Sequence, residues 1–471
     1  MPSSVNRVGL PAGLAAGTPR RRGRLARPGA VVALIVVAFL GACATAPDLD
    51  AIEDSFDAPV GEREARVTDN VARTAFGRDV SRAVQENPRL GASSADVRAA
   101  QAREDGEAGA FLPRFSLGAT VAAGLGAASG GRISPVAQVV QLIYDGGAAA
   151  SRRIAARARV FESRGARLEV ASALTLEAVE AWHSLLAARA RADLAARNEA
   201  AHRALLSQVE DRATAGAGGQ ADVLTARARL ATATSRAVEA RAQRDRAEAA
   251  FQQVFGTRPG RLSRPPSAPA LPSASEDELI ANSPRIRSLD ASVAAGEADV
   301  ASAEAARFPQ VQLRGNAVRG AGGRGIDGDV DLQVDYDAGF PGQRAAAIRA
   351  AEARLESLQA DRDSLARQIR RSLADLRTDQ RAGAARLRAA REAVAANEAT
   401  VEAAREQFSI GRRSLISLLD AQRDLFEASE TLINAEFEMA ITGYAALALT
   451  GDILDAFAIT LPAAGQDEDT S

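Results

Sequence analysis

The sequence predicts a mainly α protein with a small β part, built as a tandem duplication of long helical hairpins with two strands in each copy. Three observations lead there. Sequence landmarks recur at an offset near 195 residues. Two proline-free stretches of about 67 residues are dominated by Ala, Arg, Leu and Glu. Short segments ahead of those stretches alternate apolar and polar side chains with period two, the pattern of half-buried strands.

The landmarks fix the repeat. Asn87-Pro88-Arg89-Leu90 matches Ser283-Pro284-Arg285-Ile286, Leu112-Pro113 matches Phe308-Pro309, and Tyr144-Asp145 matches Tyr336-Asp337. Gly216 and Gly256 match Gly411 and Gly451, each pair 195 apart (411 − 216, 451 − 256). That period far exceeds the repeat of a solenoid, so each copy is a large structural unit.

Taken in order, the chain divides into a leader (1–43), a linker (44–77), a first repeat (78–262), a second linker (263–275), a second repeat (276–456) and an acidic tail (457–471). In the leader, the basic run Arg20–Arg27 precedes the apolar run Ala30–Leu40 and small residues, the layout of a secretory signal. The apolar run is too short for a membrane-spanning helix, which needs about 20 residues. Leu40-Gly41-Ala42-Cys43 resembles the bacterial lipobox, in which Cys43 would carry lipid; Ala44 after it implies sorting to the outer membrane. A signal peptide that merely contains a cysteine is the alternative.

The first repeat opens with a helix expected from Asp79 to Gly109, stopped before Pro113, which disfavours helix at the residue ahead of it. Strands follow over about 114–145. The long helix runs from about Gly147 to Ala213, a glycine-rich tip lies at about 214–222, and a return helix extends from Asp222 to Phe255. The second repeat has a helix from Glu276 to Arg307, strands over about 310–337, a long helix from Gln343 to Ser409, a tip at about 409–417 and a return helix from Ser414 to Thr450. Each long helix is about 100 Å at 1.5 Å per residue. Two shorter helices stacked end to end match one long one.

The strands carry the clearest signal in the second copy. Val330, Leu332, Val334 and Tyr336 alternate with Asp331, Gln333, Asp335 and Asp337. Segments of about 9–11 residues with one apolar and one polar face fit transmembrane β-strands. Four strands cannot close a barrel, and an open edge is not tolerated in hydrocarbon. The chain therefore either assembles with copies of itself or keeps these strands out of the membrane.

The doubled succession of landmarks, over roughly Asp79 to Gly451, resembles the TolC family of outer-membrane channel-tunnels. The resemblance implies a homotrimer whose shared twelve-stranded barrel sits in outer-membrane lipid on an α-helical tunnel. It also implies a periplasmic adaptor and an inner-membrane transporter as partners, serving multidrug efflux or type I protein secretion. At the hairpin tips, marked by Gly216 and Gly411, it implies a gate. Asp222 would pair with Arg413, or with the adjacent Arg412. Asp420 and Ser417 fall where the family has acidic rings, and Ser417 departs from that pattern. Phe408 falls where the family has a hydrogen-bonding tyrosine and lacks the hydroxyl.

Other chemistry finds little support. Basic and acidic residues balance at 58 and 60, which gives no reason to expect nucleic acid. All 58 basic residues are arginine. His183 and His202 are 19 apart on one helix, and with Cys43 in the leader no metal or nucleophile constellation forms. Trp182 beside His183 reads as packing. No enzyme activity and no cofactor are expected. The competing class is a periplasmic coiled-coil adaptor or scaffold lipoprotein without a barrel.

Overall fold

The computed structural model describes residues 49–50, 52, 56, 67–122, 132–319, 325–336, 339–340 and 342–461. The leader with Cys43, the acidic tail beyond 461 and Asp337 lie outside the described residues. The described residues all belong to the unit Thr45–Ser471.

The expected opening helix of the first copy is two helices, α1 (Ala75–Gln85) and α2 (Pro88–Ala108). The reason lies in the landmark itself. Pro88 has no N–H to give a preceding turn and occupies the first helical position, where none is needed. The Asn87 side chain caps the new helix by accepting from Arg89 N at 2.9 Å. The second copy breaks at the equivalent place, into α5 (Glu276–Ala281) and α6 (Pro284–Ala305). There Ser275 and Glu278 form a reciprocal capping box at the start of α5.

Strands β1 (Arg114–Ala122) and β2 (Arg132–Tyr144) come from the first copy, β3 (Gln310–Arg319) and β4 (Ile326–Asp335) from the second. They form one antiparallel sheet in the order β1-β2-β3-β4. The register places Phe115, Val139, Gly315 and Val330 side by side on one face, with Leu117, Ala137, Leu313, Leu332 and Val334 on the same side. Most of the large side chains of this face are bare: Phe115 is 77% exposed, Leu117 88% and Val330 76%. The opposite face carries Ser116, Gln138, Arg314, Asn316, Asp329 and Asp331, with Val136, Val140, Leu142 and Val318 among them. Among the described residues β1 and β4 are the unpaired edges.

The long helices are α3 (Ala148–Thr214) and α7 (Gln343–Ser409), both 67 residues. The return helices α4 (Gln220–Phe255) and α8 (Leu415–Thr450) are both 36 residues, and the short α9 (Ile453–Ala456) follows. The turn from β2 into α3 explains the Tyr-Asp-Gly landmark. The buried Asp145 carboxylate accepts from Gly147 N at 3.1 Å and Ala149 N at 2.7 Å, covering the exposed amides of the helix start. Gly146 and Gly147 take φ of 71° and 93°, which an L side chain resists.

The helices lie in four columns: α2 and α4, then α3, then α6 and α8, then α7. α3 packs on both sides and buries side chains from Ala148 to Val209. α7 packs on α5, α6 and α8 and buries few. Small residues let the columns approach: a Cβ on Gly165 of α3 would lie 2.8 Å from the Ser288 backbone of α6. No helix among the described residues is long and apolar enough to cross a membrane.

The largest core sits where the short helices meet end to end. Phe76, Trp182, Tyr444, Phe457 and Phe251 gather there, with Phe76 and Trp182 edge-on at 5.2 Å. Trp182 Nε1 donates to Ser263 O at 3.2 Å, so the residue is packing, as expected. Replacing Trp182 with Ala should cost about 3–5 kcal/mol, read as a lowered thermal midpoint. His183 faces the Phe76 and Tyr444 rings, and burial lowers its pKa to about 4. The folded chain therefore binds this proton less readily than the unfolded chain, whose histidine titrates near 6.5. The stabilisation is complete above about pH 6.5 and is lost as pH falls toward 4, by about 3 kcal/mol at most. A His183→Leu protein should show a flatter decline of thermal midpoint across that window; an unchanged slope would exclude His183 as its source.

Candidate functional site: the hairpin tips

The two hairpins turn at the end of the long helices remote from the sheet. Both turns close by the same pair of backbone bonds. Gly216 N donates to Ala213 O at 3.1 Å and Ala217 N to Arg212 O at 2.8 Å. In the second copy Gly411 N donates to Phe408 O at 3.0 Å and Arg412 N to Gln407 O at 2.9 Å. These are Schellman closures, which require a left-handed residue after the helix. Gly216 and Gly411 supply it with φ of 72° and 75°.

The helices that leave the turns start differently. The Ser414 hydroxyl caps α8, accepting from Ser417 N at 3.2 Å, and the two hydroxyls lie 3.0 Å apart. Ser417 therefore completes a local cap at the position where the sequence resemblance led to an acid. α4 starts from Gly219, which has no side chain to cap with. Asp222, the repeat equivalent of Ser417 (417 − 222 = 195), puts a carboxylate in that first turn instead. Beside the positive end of a helix such a charge is worth about 0.3–1 kcal/mol.

Asp222 and Arg412 are exposed and Arg413 is half-buried. Within the protomer, among the described residues, no ion pair joins Asp222 to Arg413 or Arg412. Asp420 is half-buried and meets Arg423 at 3.5 Å, one turn along α8. A hydrogen bond to Asp424, and the charges of Asp424, Asp420 and Glu427, hold Arg423 above its ordinary pKa. The Asp420 carboxylate is thus partly neutralised from its own helix.

Phe408 is not a bare ring at an opening. It is 6% exposed, in a core shared by all four helices of the two tips, with Leu205, Val223, Val401 and Leu418. Its ring is covered by the guanidinium of Arg212, 4.8 Å from the centroid, and Arg212 Nη1 donates to Phe408 O at 2.8 Å. The sequence reading passed over Arg212. Its repeat equivalent is the neutral Gln407 (407 − 212 = 195), one of several differences between the copies ahead of the tip glycines.

His183 and His202 stand apart on α3. Burial, and then the charges of Arg229 and Arg236, lower the pKa of His202. Among the described residues no group of His, Cys, Asp or Glu is placed to hold a metal.

Residues 80–257 and 276–451 match the family described as outer membrane efflux protein, two matches that coincide with the two copies. The outer membrane efflux protein BepC of Brucella suis is 26% identical over 381 residues, covering 79% of this chain and 84% of the relative. The alkaline protease secretion protein AprF of Pseudomonas aeruginosa is 24% identical over 307 residues, covering 62% and 64% respectively. Among solved structures, the outer-membrane channel OprN superposes with a TM-score of 0.72 at 22% identity, covering 87% of this chain and 99% of that one.

The tip geometry makes a checkable statement about its glycines. A β-branched residue at Gly411 must adopt a left-handed backbone at a cost of about 1–2 kcal/mol. Gly411→Val should therefore speed hydrogen exchange at the amides of Gly411 and Arg412, leaving those of α1 unchanged. The double family match sets aside both the enzyme and the adaptor or scaffold readings: the chain belongs to the outer membrane efflux protein family, the TolC-type channels.

Proposed function

We propose that three copies of this chain close into one conduit from the periplasm to the exterior. Each would contribute its four strands to a twelve-stranded barrel in outer-membrane lipid and its four helical columns to a tunnel below. The observation that carries this is the sheet: one bare apolar face, one polar face, and two unpaired edges. Edge amides and carbonyls cannot be left unbonded in hydrocarbon, so β1 of one copy must pair with β4 of the next. The apolar face then meets lipid and the Asp- and Gln-bearing face lines an aqueous lumen. The exposed flank of α7 supports the same closure, since it has neighbours on one side only.

The conduit would take its cargo from a periplasmic adaptor and an inner-membrane transporter. Efflux of small molecules is favoured by the family match; AprF, a secretion protein by name, keeps protein export open as the second pathway. A lipid on Cys43 fits the chain length. Six residue steps lead from Cys43 to Leu49 and span at most about 20 Å. Leu49 packs on Ala158, ten residues or about 15 Å down α3 from the strand end.

At the tips, Asp222 and Arg413 have no ionic partner among the described residues of the protomer and are offered as partners between neighbouring protomers, with Arg412 as the alternate cation. Asp420 would form a ring of three carboxylates, softened by Arg423, while Ser417 adds none. As a solvated pair the Asp222–Arg413 contact is worth about 0–1 kcal/mol, within reach of an adaptor.

The test is direct. The protein should fractionate with the outer membrane as a heat-modifiable trimer, and cysteines placed on facing positions of β1 and β4 should crosslink between chains. A protein released from membranes by salt as a monomer would sink the proposal. Asp222→Ala with Arg413→Ala should raise single-channel conductance in planar bilayers; unchanged conductance would reject that pair while leaving the conduit standing.

A further inference from the structure

We infer that Arg212 is a positioning residue of the tunnel end, a single guanidinium that ties the two hairpin tips of a protomer into one body and keeps the constriction narrow. This rests on the reading of the tips as the narrow end of a conduit.

The argument begins with two helix ends. α3 and α7 both terminate at the tip, at Thr214 and Ser409. Each C-terminus carries about half a negative charge and carbonyls with no helical partner. Arg212 lies in the last turn of α3, and its Nη1 bonds Phe408 O in the last turn of α7, at 2.8 Å. One cation therefore serves both negative ends. It belongs to the first hairpin and holds the second.

The ring of Phe408 adds a second constraint. Its centroid is 4.8 Å from the Arg212 guanidinium carbon, and the ring is 6% exposed. A planar cation that stacks and donates at once is fixed in orientation, which an ammonium cannot reproduce.

The position is singular along the hairpins. Arg191 reaches Asn434 and Arg236 lies over the Phe426 ring, both nearer the middle of the helices. Between those contacts and the tip, Arg212 to Phe408 is the one polar link from hairpin to hairpin among the described residues. The remaining contact there is apolar, among Leu205, Val209, Leu418 and Leu419. Apolar surfaces hold helices together but define their axial register weakly; a directional bond defines it. The bond is only partly buried, so a partner that pulls on one hairpin can break it.

Two measurements on the full-length protein decide the matter. One is single-channel conductance in planar bilayers. The other is the distance distribution between spin labels at Ala215 and Ser409, one on each tip. Arg212→Gln should raise conductance several-fold and broaden the tip-to-tip distances. Arg212→Lys should fall between it and the wild type, and Phe408→Leu, which keeps the carbonyl but removes the ring, should show a smaller effect. In Arg212→Gln the thermal midpoint should move far less than in Trp182→Ala, which separates positioning from general destabilisation. Unaltered distances and conductance in Arg212→Gln overturn the inference. If Arg212→Gln does not assemble, Arg212→Lys and Phe408→Leu carry the same comparison, and wild-type behaviour in both overturns it. A wild-type protein that forms no channel defeats the conduit reading instead, and the distances still decide whether Arg212 ties the tips.

Discussion

Two uninterrupted 67-residue helices must be covered along about 100 Å, and the rest of the chain is arranged around that need. No return helix of 36 residues can do so alone. Coverage comes from stacked pairs, and every pair has a joint. The joints fall where proline ends one helix and begins another, and they leave a gap that only bulky side chains fill. Aromatic residues make up 4% of the chain, and Phe76, Trp182, Phe251, Tyr444 and Phe457 are concentrated there. The segment between α4 and α5 crosses the same level, pinned by Tyr444 OH to Pro266 O at 3.1 Å and by Arg189 to Gly260 O at 3.0 Å. Its exposed residues recur every third position at Arg264, Ser267, Ala270 and Ser273, the rhythm of an extended polyproline strap. The scarce aromatics thus serve as the clasp that fixes the stacked helices in register.

The same arrangement leaves each protomer unfinished. A column flanked on both sides, α3, buries its small residues along its length, whereas α7 at the margin does not. The sheet repeats that asymmetry, with β2 and β3 paired across the two copies and β1 and β4 bare at the edges. Duplication therefore produces an internally matched unit with two unlike margins, the geometry that favours closed rings over isologous dimers.

Much of this was legible in the sequence, because its main signals are backbone signals. The proline-free runs gave α7 from Gln343 to Ser409 without error, and the alternation at Val330, Leu332 and Val334 located β4. The breaks at Pro88 and Pro284 are not legible in the same way, although both prolines belong to a recurring landmark. Helical periodicity continues across them, and only the capping role of Asn87 shows that one helix has ended. The tip was less legible than the fold. Gly216 and Gly411 could be found because left-handed closure demands glycine. Arg212 could not be found by residue type, since arginine is the only cation this chain uses besides histidine. Its role depends on which of many arginines ends a helix beside another helix end, and that is decided by tertiary packing.

The two tips show how a duplicated unit acquires unequal parts. The backbone closures are the same bond for bond. The side chains have diverged: Arg212 against Gln407, Asp222 against Ser417, and Ala217 and Gly218 against Arg412 and Arg413. Each exchange moves charge between copies while leaving the turn intact. Had both copies kept a cation at the Arg212 position, two guanidinium groups would compete for the same pair of helix ends, and their repulsion would push the tips apart. Had neither kept it, the paired negative ends would face one another across an apolar core with nothing to set their register. One cation between two helix ends is the arrangement that holds them together and remains simple to release. The asymmetry of the copies is therefore what allows one hairpin to hold the other.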